Sequence, residues 1–252
     1  MDDIKISVVI PVFNCATYIE RCLTSIKNQE ITTEIILIDD CSTDNLCEKL
    51  KEIKEKLKIN IVYIKNPKRL GVAKTRNKGI LKATGNYIAF LDADDWWECG
   101  KLKKQIETIK ETKTKFIYTG RINVKDNYKK IVKCPNKVDL KHILYNNPIT
   151  CSSVLIEKEL ATKYLMVDSN ICEDYYMWIQ ILKEIPCAIG ILEPLTNYFI
   201  REDSLSSNKF KHAIKRYNTY KMAEISFFKR IYYSIIYILL NILKRAEIVK
   251  KG

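Results

Sequence analysis

The chain has 252 residues, 47% of them hydrophobic, with only seven Gly and six Pro and a formal net charge of +13. That length supports one substantial core, or a core plus a short appendage, and the composition excludes low-complexity stretches and a long flexible linker. Nine Cys, odd in number and without a CxxC pair, exclude a zinc knuckle and a disulfide framework and favour a reducing cytoplasm.

The acidic start, Met1-Asp2-Asp3-Ile4-Lys5, runs straight into an apolar segment, so no secretory leader is expected. Ile6–Val12 reads as a strand and Cys15–Asn28 as a helix. A second strand, Glu34–Asp39, leads into Asp39-Asp40-Cys41-Ser42-Thr43-Asp44. That run suits either ligand contact or a turn with Thr43 or Asp44 as a helix cap. Helix Asp44–Leu57, strand Ile61–Lys65, helix Gly71–Ala83 and strand Tyr87–Leu91 follow, with Gly85 at a helix-ending position. Strand–helix alternation of this kind gives a parallel sheet with right-handed crossovers, and ligands gather beyond the carboxyl ends of its strands. Three such ends are chemically loaded: Pro11-Val12-Phe13-Asn14, Asp39–Ser42 and Asp92-Ala93-Asp94-Asp95.

The last of these is the strongest signal. Three carboxylates in four residues repel one another, and a buried strand that ends in them invites a divalent cation. Asp92 and Asp94 project to one side of an extended backbone while Asp95 points away. Mg²⁺ and Mn²⁺ are commonly held by one or two carboxylates, with substrate phosphates supplying further oxygens. The plainer alternative is that these residues cap a helix beginning near Trp96.

Further along, Lys101–Glu111 reads as a helix and Phe116–Thr119 as a strand. Residues 121–144 are weakly patterned, a hairpin or loop followed by a helix near Leu140–Tyr145. Cys172–Lys183 reads as a helix with Trp178, Ile181 and Leu182 inward. Cys187–Leu192 and Thr196–Ile200 look like two short strands, and two tail helices follow at Lys209–Ala223 and Ile225–Glu247. From Asn208 onward eight Lys and three Arg stand against two Glu, a net +9 that suggests an acidic partner surface rather than a nucleic-acid groove. Ile231–Leu243 is mostly apolar but shorter than the ~20 residues that span a bilayer. Ile231, Ile235, Ile238, Leu239 and Ile242 share one face, and Arg230, Ser234, Tyr237, Asn241 and Lys244 the other. A basic amphipathic helix of this kind lies on an anionic leaflet, or packs on the body or a second copy as a homodimer contact.

No G-x-G-x-x-G and no G-x-x-x-x-G-K-[ST] occurs, so a glycine-rich cradle is not available to a nucleotide diphosphate. The set Ser7–Asn14, Ile38–Asp44, Gly71–Ile80, Tyr87–Trp96 and Glu173–Trp178, in that order, resembles the family 2 glycosyltransferases over roughly residues 4 to 205. The resemblance implies an α/β GT-A fold, a mostly parallel Rossmann-like central sheet flanked by helices, over residues 1–207, with residues 208–252 as a basic amphipathic helical tail. It implies an inverting glycosyltransferase that uses Mg²⁺ or Mn²⁺ and a nucleotide-sugar donor, a UDP-sugar foremost. The acceptor would be a lipid-linked or saccharide hydroxyl, at the inner face of a bacterial cytoplasmic membrane, in lipopolysaccharide, O-antigen or capsule assembly.

Pro11, Val12, Asn14, Asp39 and Asp40 would then line the nucleoside pocket, and Arg76, Asp92, Ala93 and Arg201 would contact the nucleotide-sugar. Asp94 with Asp92 would hold the metal. Asp174 would be the general base, supported by Glu173. Acidic residues in the first turn of a helix also favour its dipole, which is the plainer reading of that pair. One in-line displacement needs a base and a cation but no nucleophilic residue, and the chain has only two His, His142 and His212. Arg201 departs from the family, where many members carry a metal-ligating His; a guanidinium stays protonated and cannot ligate. Arg201 would contact the diphosphate instead, or merely pair with Glu202, Asp203 or another surface carboxylate. The competing class is an inactive nucleotide-sugar-binding or scaffold subunit.

Overall fold

The computed structural model describes residues 3–126, 128–201 and 209–249, with backbone only for 209–210 and 240–249. Glu202, Asp203 and the side chains of Asn241, Ile242 and Lys244 therefore lie outside the described residues. In chain order the elements are β1 (Ile6–Val12), α1 (Ile19–Lys27), β2 (Thr33–Asp39), α2 (Leu46–Leu57), β3 (Ile61–Lys65), α3 (Val72–Lys82), β4 (Tyr87–Phe90), β5 (Trp96–Trp97) and α4 (Lys101–Thr112). Then come β6 (Phe116–Lys125), β7 (Tyr128–Val132), β8 (Lys137–Val138), α5 (Leu140–Tyr145), a 3₁₀ turn (Cys151–Ser153), β9 (Leu155–Glu157), α6 (Lys158–Lys163), α7 (Glu173–Glu184), β10 (Ala188–Phe199), α8 (Lys209–Met222) and α9 (Phe227–Val249).

The strands join one sheet in the order β3-β2-β1-β4-β9-β6-β10-β5, with β7 on β6 and β8 on β10. β1 pairs parallel with β2 and β4, and β2 with β3, because each connection is a helical crossover. β9 runs antiparallel between β4 and β6, so β6 and β10 return to the direction of the first four strands. The carboxyl ends of β1, β2 and β4 consequently open on the same side.

The central strands β1, β2 and β4 are mostly apolar because helices cover both faces. Val8, Val9, Ile10, Ile36, Leu37, Ile38, Ala89 and Phe90 are all fully buried. Helix α1 buries Ile19, Cys22, Leu23 and Ile26, the i, i+3, i+4, i+7 stripe that an amphipathic helix needs. Helix α3 lies unusually close to β1. A Cβ added at Gly79 would stand 2.4 Å from Cγ1 of Val9, so a side chain there has no room. Helix α7 is anchored by Trp178, fully buried with its ring 5.0 Å from Phe116 and 6.1 Å from Phe90. Removing such an indole costs about 3–5 kcal/mol. That anchor fixes where the helix start, Glu173-Asp174, must sit.

Several local expectations change. No helix begins near Trp96: Trp96-Trp97 pairs antiparallel with Asn197 and Thr196, and the helix waits for Gly100, at φ +79°. Cys187–Leu192 and Thr196–Ile200 are parts of one strand, β10, whose register slips twice around Pro194. Gly85 ends no helix, since α3 closes in extended backbone at Ala83. Gly85 is needed instead because a Cβ there would meet the Lys5 carbonyl at 2.5 Å. Neither Thr43 nor Asp44 caps α2. Asp44 accepts from the Ala16 N–H at 2.9 Å and so ties two loops together.

The tail helices are docked on the body. Tyr220 of α8, Ala223 just past its end and Tyr233 of α9 belong to the same buried cluster as Trp178. Ile231, Ile235, Ile238 and Leu239 face outward instead, between 40% and 53% exposed. Among the described residues no helix is long and apolar enough to cross a membrane.

Candidate active site

The site is assembled at the strand ends in two halves. On the first, β1 leaves Val12 and turns at Asn14, whose φ is +50°. The Asn14 N–H donates to Ser42 Oγ at 3.0 Å and its Oδ1 accepts from the Thr43 N–H at 2.9 Å. Asp39 is fully buried; it accepts from the Ser42 N–H at 2.7 Å and from the Tyr63 hydroxyl at 2.6 Å. Asp40 accepts from the N–H groups of Leu70 and Gly71 at 2.7 and 2.9 Å and from Asn66 Nδ2 at 3.0 Å. Burial by itself would raise the Asp40 carboxyl, but these donors outweigh it and hold the group below its usual range. Val12 is buried and its carbonyl accepts from the Asp40 N–H at 2.8 Å, and Arg69 lies 3.9 Å over the Phe13 ring.

On the second half, the acidic loop after β4 is divided among three partners. Asp92 Oδ1 accepts from Arg76 Nη2 at 2.7 Å, and the same guanidinium donates through Nη1 to Glu173 Oε1 at 3.2 Å. Asp94 Oδ2 pairs with Arg201 Nη2 at 2.7 Å, and its carbonyl accepts from Arg21 Nη2 at 2.9 Å. Asp95 points away from the other two, as alternation requires, and into the protein. It accepts from Ser152 Oγ at 2.6 Å and from the Phe199 N–H at 2.9 Å. Ser152 Oγ also accepts from the Asp92 N–H at 3.1 Å, so the 3₁₀ turn braces the whole loop from beneath. Ala93 is buried between them.

Arg76 is the hub of this half. It is 4% exposed, and the charges of Asp92 and Glu173 more than offset its burial, so it stays protonated. Both Nη groups are engaged, and its Nε is buried without a partner. Burial raises the Asp94 carboxyl, and the neighbouring Asp92 charge raises it further, against the pull of Arg201. Asp174 follows Glu173 in the first turn of α7. Burial, then the adjacent Glu173 charge, push its carboxyl up to about 7 although Arg76 pulls the other way.

The two halves are joined through α3. Gly71, its N-cap, donates to Asp40, and Arg76, one turn on, reaches Asp92 and Glu173. Sequence reasoning singled out each of these acids but missed what holds them. Ser152 and Arg21 carry no motif; Ser152 lies 57 residues from Asp95 and Arg21 lies 73 from Asp94.

As a candidate metal centre the site is already paired. Among the described residues no group of three or more His, Cys, Asp or Glu converges as a ligand set. The donor chemistry nonetheless fits a hard cation of the kind that takes one or two carboxylates and completes its shell with phosphate oxygens and water. Asp92 and Asp94 are the carboxylates that would serve, and burial first, then the neighbouring Asp92 charge, raises the Asp94 carboxyl.

A twisted sheet with acids gathered at its carboxyl ends, a D-x-D loop and an acidic helix start beside it defines a GT-A glycosyltransferase. The chain belongs to glycosyl transferase family 2, whose sequence model matches residues 7–158. It is 31% identical to the UDP-Glc:alpha-D-GlcNAc-diphosphoundecaprenol beta-1,3-glucosyltransferase WfgD of Escherichia coli, over 100% of this chain and 99% of that protein. It is 34% identical to TuaG of Bacillus subtilis, a glycosyltransferase provisionally assigned to teichuronic acid biosynthesis, over 87% of this chain and 88% of that one. Among solved structures, the mannosyltransferase PcManGT from Pyrobaculum calidifontis, in complex with GDP-Man and Mn²⁺, superposes with a TM-score of 0.72. That match has 17% identity and covers 94% of this chain and 70% of the other.

Proposed function

We propose that this glycosyltransferase is inverting and moves a sugar from a nucleotide-sugar, a UDP-sugar foremost, to a hydroxyl of a lipid-linked acceptor during assembly of a bacterial surface glycan. The observation that carries the reading is the Arg76 bridge from Asp92 to Glu173, which ties the D-x-D loop to the helix start bearing Asp174. Two relatives support the chemistry of the substrates: one is named for a UDP-glucose donor and a diphosphoundecaprenol acceptor, the other for teichuronic acid biosynthesis.

Asp174 would act as the general base. A carboxyl raised to about 7 can accept the proton of an attacking hydroxyl at neutral pH without binding it permanently. Asp40 and Asp39 would define the nucleoside pocket through the loops they hold, with Asn14 and the backbone of Pro11 and Val12 as its wall. Asp94 and Asp92 would hold Mg²⁺ or Mn²⁺, which when bound supplies positive charge to the departing diphosphate. Arg201 would exchange its partner, leaving Asp94 for the diphosphate, and so add a second fixed positive charge there. Arg76 would keep the D-x-D loop and the base helix in register. Interfacial binding would come from the outward face of α9, where Ile231, Ile235, Ile238 and Leu239 are flanked by Lys229 and Arg230.

The test is release of UDP from UDP-sugars by the purified chain with Mn²⁺ and a diphosphate-lipid-linked sugar. Acceptor-dependent release that Asp174→Asn and Asp94→Ala abolish supports the reading. Donor binding without turnover across acceptors would instead favour an inactive binding or scaffold subunit, for which Arg201 in place of a ligating His is the specific observation.

A further inference from the structure

Asp174 is held in place by its neighbours rather than by its own side chain. Among the described residues its carboxylate accepts only from the Tyr175 N–H, at 2.6 Å, and makes no hydrogen bond to another element. Where that carboxylate stands is therefore decided by what holds residues 172, 173 and 175. Glu173 is held by Arg76 of α3 at 3.2 Å. The other two holds come from the tail helix α8. The Cys172 N–H donates to Thr219 Oγ1 at 3.0 Å, and the Tyr175 ring meets that of Tyr220 edge-on, with centroids 6.0 Å apart.

The Thr219 contact replaces a helix cap that α7 lacks. Cys172 is the N-cap of α7, in extended backbone, and its side chain makes no capping bond. The N-cap N–H is one of the donors a helix leaves unsatisfied, and a Glu or Gln at the third helical position commonly takes it. In α7 that position is Tyr175, whose hydroxyl is turned inward and donates to the Ile143 carbonyl at 2.8 Å. Thr219 Oγ1 takes the Cys172 donor instead. Its own hydrogen goes to the Lys215 carbonyl at 2.8 Å, one turn back along α8, which leaves the lone pairs for the Cys172 N–H. Thr219 is fully buried, so water cannot stand in for the hydroxyl. Asn218 Nδ2 adds a bond to the Asn170 carbonyl at 3.1 Å, on the same approach to the base. The far end of α7 is joined separately, by Lys183 Nζ to the Ala223 carbonyl at 2.7 Å.

We infer that Thr219 is a positioning residue for the base: its hydroxyl fixes the first turn of α7 and, through it, the place of Asp174. The inference rests on the reading of Asp174 as base. It adds a part of the machinery that lies in the tail, beyond the residues 7–158 that the family model matches. A base displaced by about 1 Å from an attacking hydroxyl can lose roughly 10²-fold in rate, so the loss of one neutral hydrogen bond is enough to be seen in turnover.

The test is a pair of substitutions in the full chain: Thr219→Val, which keeps the shape and removes the acceptor, and Thr219→Ser, which keeps the acceptor. Steady-state UDP release from a UDP-sugar with the lipid-linked acceptor is read for each, alone and combined with Asp174→Asn. Thr219→Val is expected to lower kcat by roughly ten- to a hundredfold with donor KM and UDP affinity unchanged, and Thr219→Ser to keep kcat within about twofold. With Asp174→Asn already present, Thr219→Val should lower kcat no further, because residues that act as one unit are not additive. Lys183→Met loosens α8 at the other end of α7 and should leave kcat unchanged. An equal fall of kcat in Lys183→Met overturns the inference, as does a full additional loss in the Asp174→Asn background, or a kcat that Thr219→Val does not move. Should Thr219→Val not fold, hydrogen exchange in the unaltered chain decides. A Cys172 amide that exchanges as fast as an exposed one overturns the inference; a slow amide that Thr219→Ser leaves slow supports it. Failure of the base reading shows differently, as an Asp174→Asn chain that keeps its kcat.

Discussion

The two halves of the site hold their carboxylates by opposite means. Asp40 is satisfied by neutral donors alone, the N–H groups of Leu70 and Gly71 and the side chain of Asn66, and Asp39 chiefly by the Ser42 N–H and the Tyr63 hydroxyl, with Lys65 farther off at 3.8 Å. Asp92, Glu173 and Asp94 are held by guanidinium groups. Neutral donors fix a shape and are used up by it. Ion pairs hold charge in reserve, because a cation can exchange one anion for another when a substrate arrives. The first half is therefore a template, and the second a set of charges that a diphosphate can rearrange.

The largest expected break in that contrast comes from the base. Asp174→Asn should lower kcat by about 10²–10⁴-fold with donor KM little changed, read from steady-state nucleotide release. The pH dependence separates the halves without mutation. In its proposed role as base Asp174 acts ionised, and its carboxyl is raised to about 7, so turnover should fall as pH drops through 7, to roughly a hundredth at pH 5. Asp40, held low by its donors, stays ionised there, and UDP titrated at pH 5 should still bind. The stability linkage runs the opposite way: the raised Asp174 favours the folded state below its ordinary pKa and loses that contribution as pH rises through 7. Asp174→Asn should accordingly raise Tm most at pH 8, less at pH 5, and hardly at all below the ordinary carboxylate range.

Arg76→Met comes next. It leaves two carboxylates without their shared cation and should cost about 3–5 kcal/mol in urea unfolding. It should also move the acidic limb of the rate profile to higher pH, since Arg76 normally pulls Asp174 down. Asp40→Ala strands three donors and should cost about 1–3 kcal/mol, with a raised donor KM and no shift of the pH limb. The mildest change is Arg201→His. It exchanges a fixed charge for a ligating imidazole and should lower the Mn²⁺ concentration needed for half-maximal rate by a few fold. An Arg201→His chain with unaltered Mn²⁺ response would leave Arg201 no part in the charge rearrangement.

Much of the fold was readable because its repeating unit is local. β1 and β3 fall on their predicted limits, since continuous apolar runs bounded by polar loops admit few alternatives. β10 was split in two because Glu193-Pro194 reads as a breaker, whereas a sheet absorbs it by slipping register. β5 was invisible: two Trp carry no period, and their strand exists only because Thr196 and Asn197 lie opposite. The acids of the site could be found from their strand ends, but not their holders. That Arg76 would face Asp92 follows from a crossover, and that Ser152 would brace Asp95 follows from no pattern within the chain's local grammar. The outward turn of the Ile231–Leu239 face was likewise undecidable, because period marks two faces of a helix and does not tell which one the body takes.

The close seating of α3 against β1 has a consequence for how such a catalyst can be altered. Gly79 is one turn beyond Arg76, and only a hydrogen atom there separates the helix from Val9. A single methyl at that point would act as a shim, tilting the rod that carries the guanidinium and detuning both of its anions together. The gauge that sets charge alignment at the reaction centre is thus a packing distance, hidden beneath the sheet and remote from any atom that reacts.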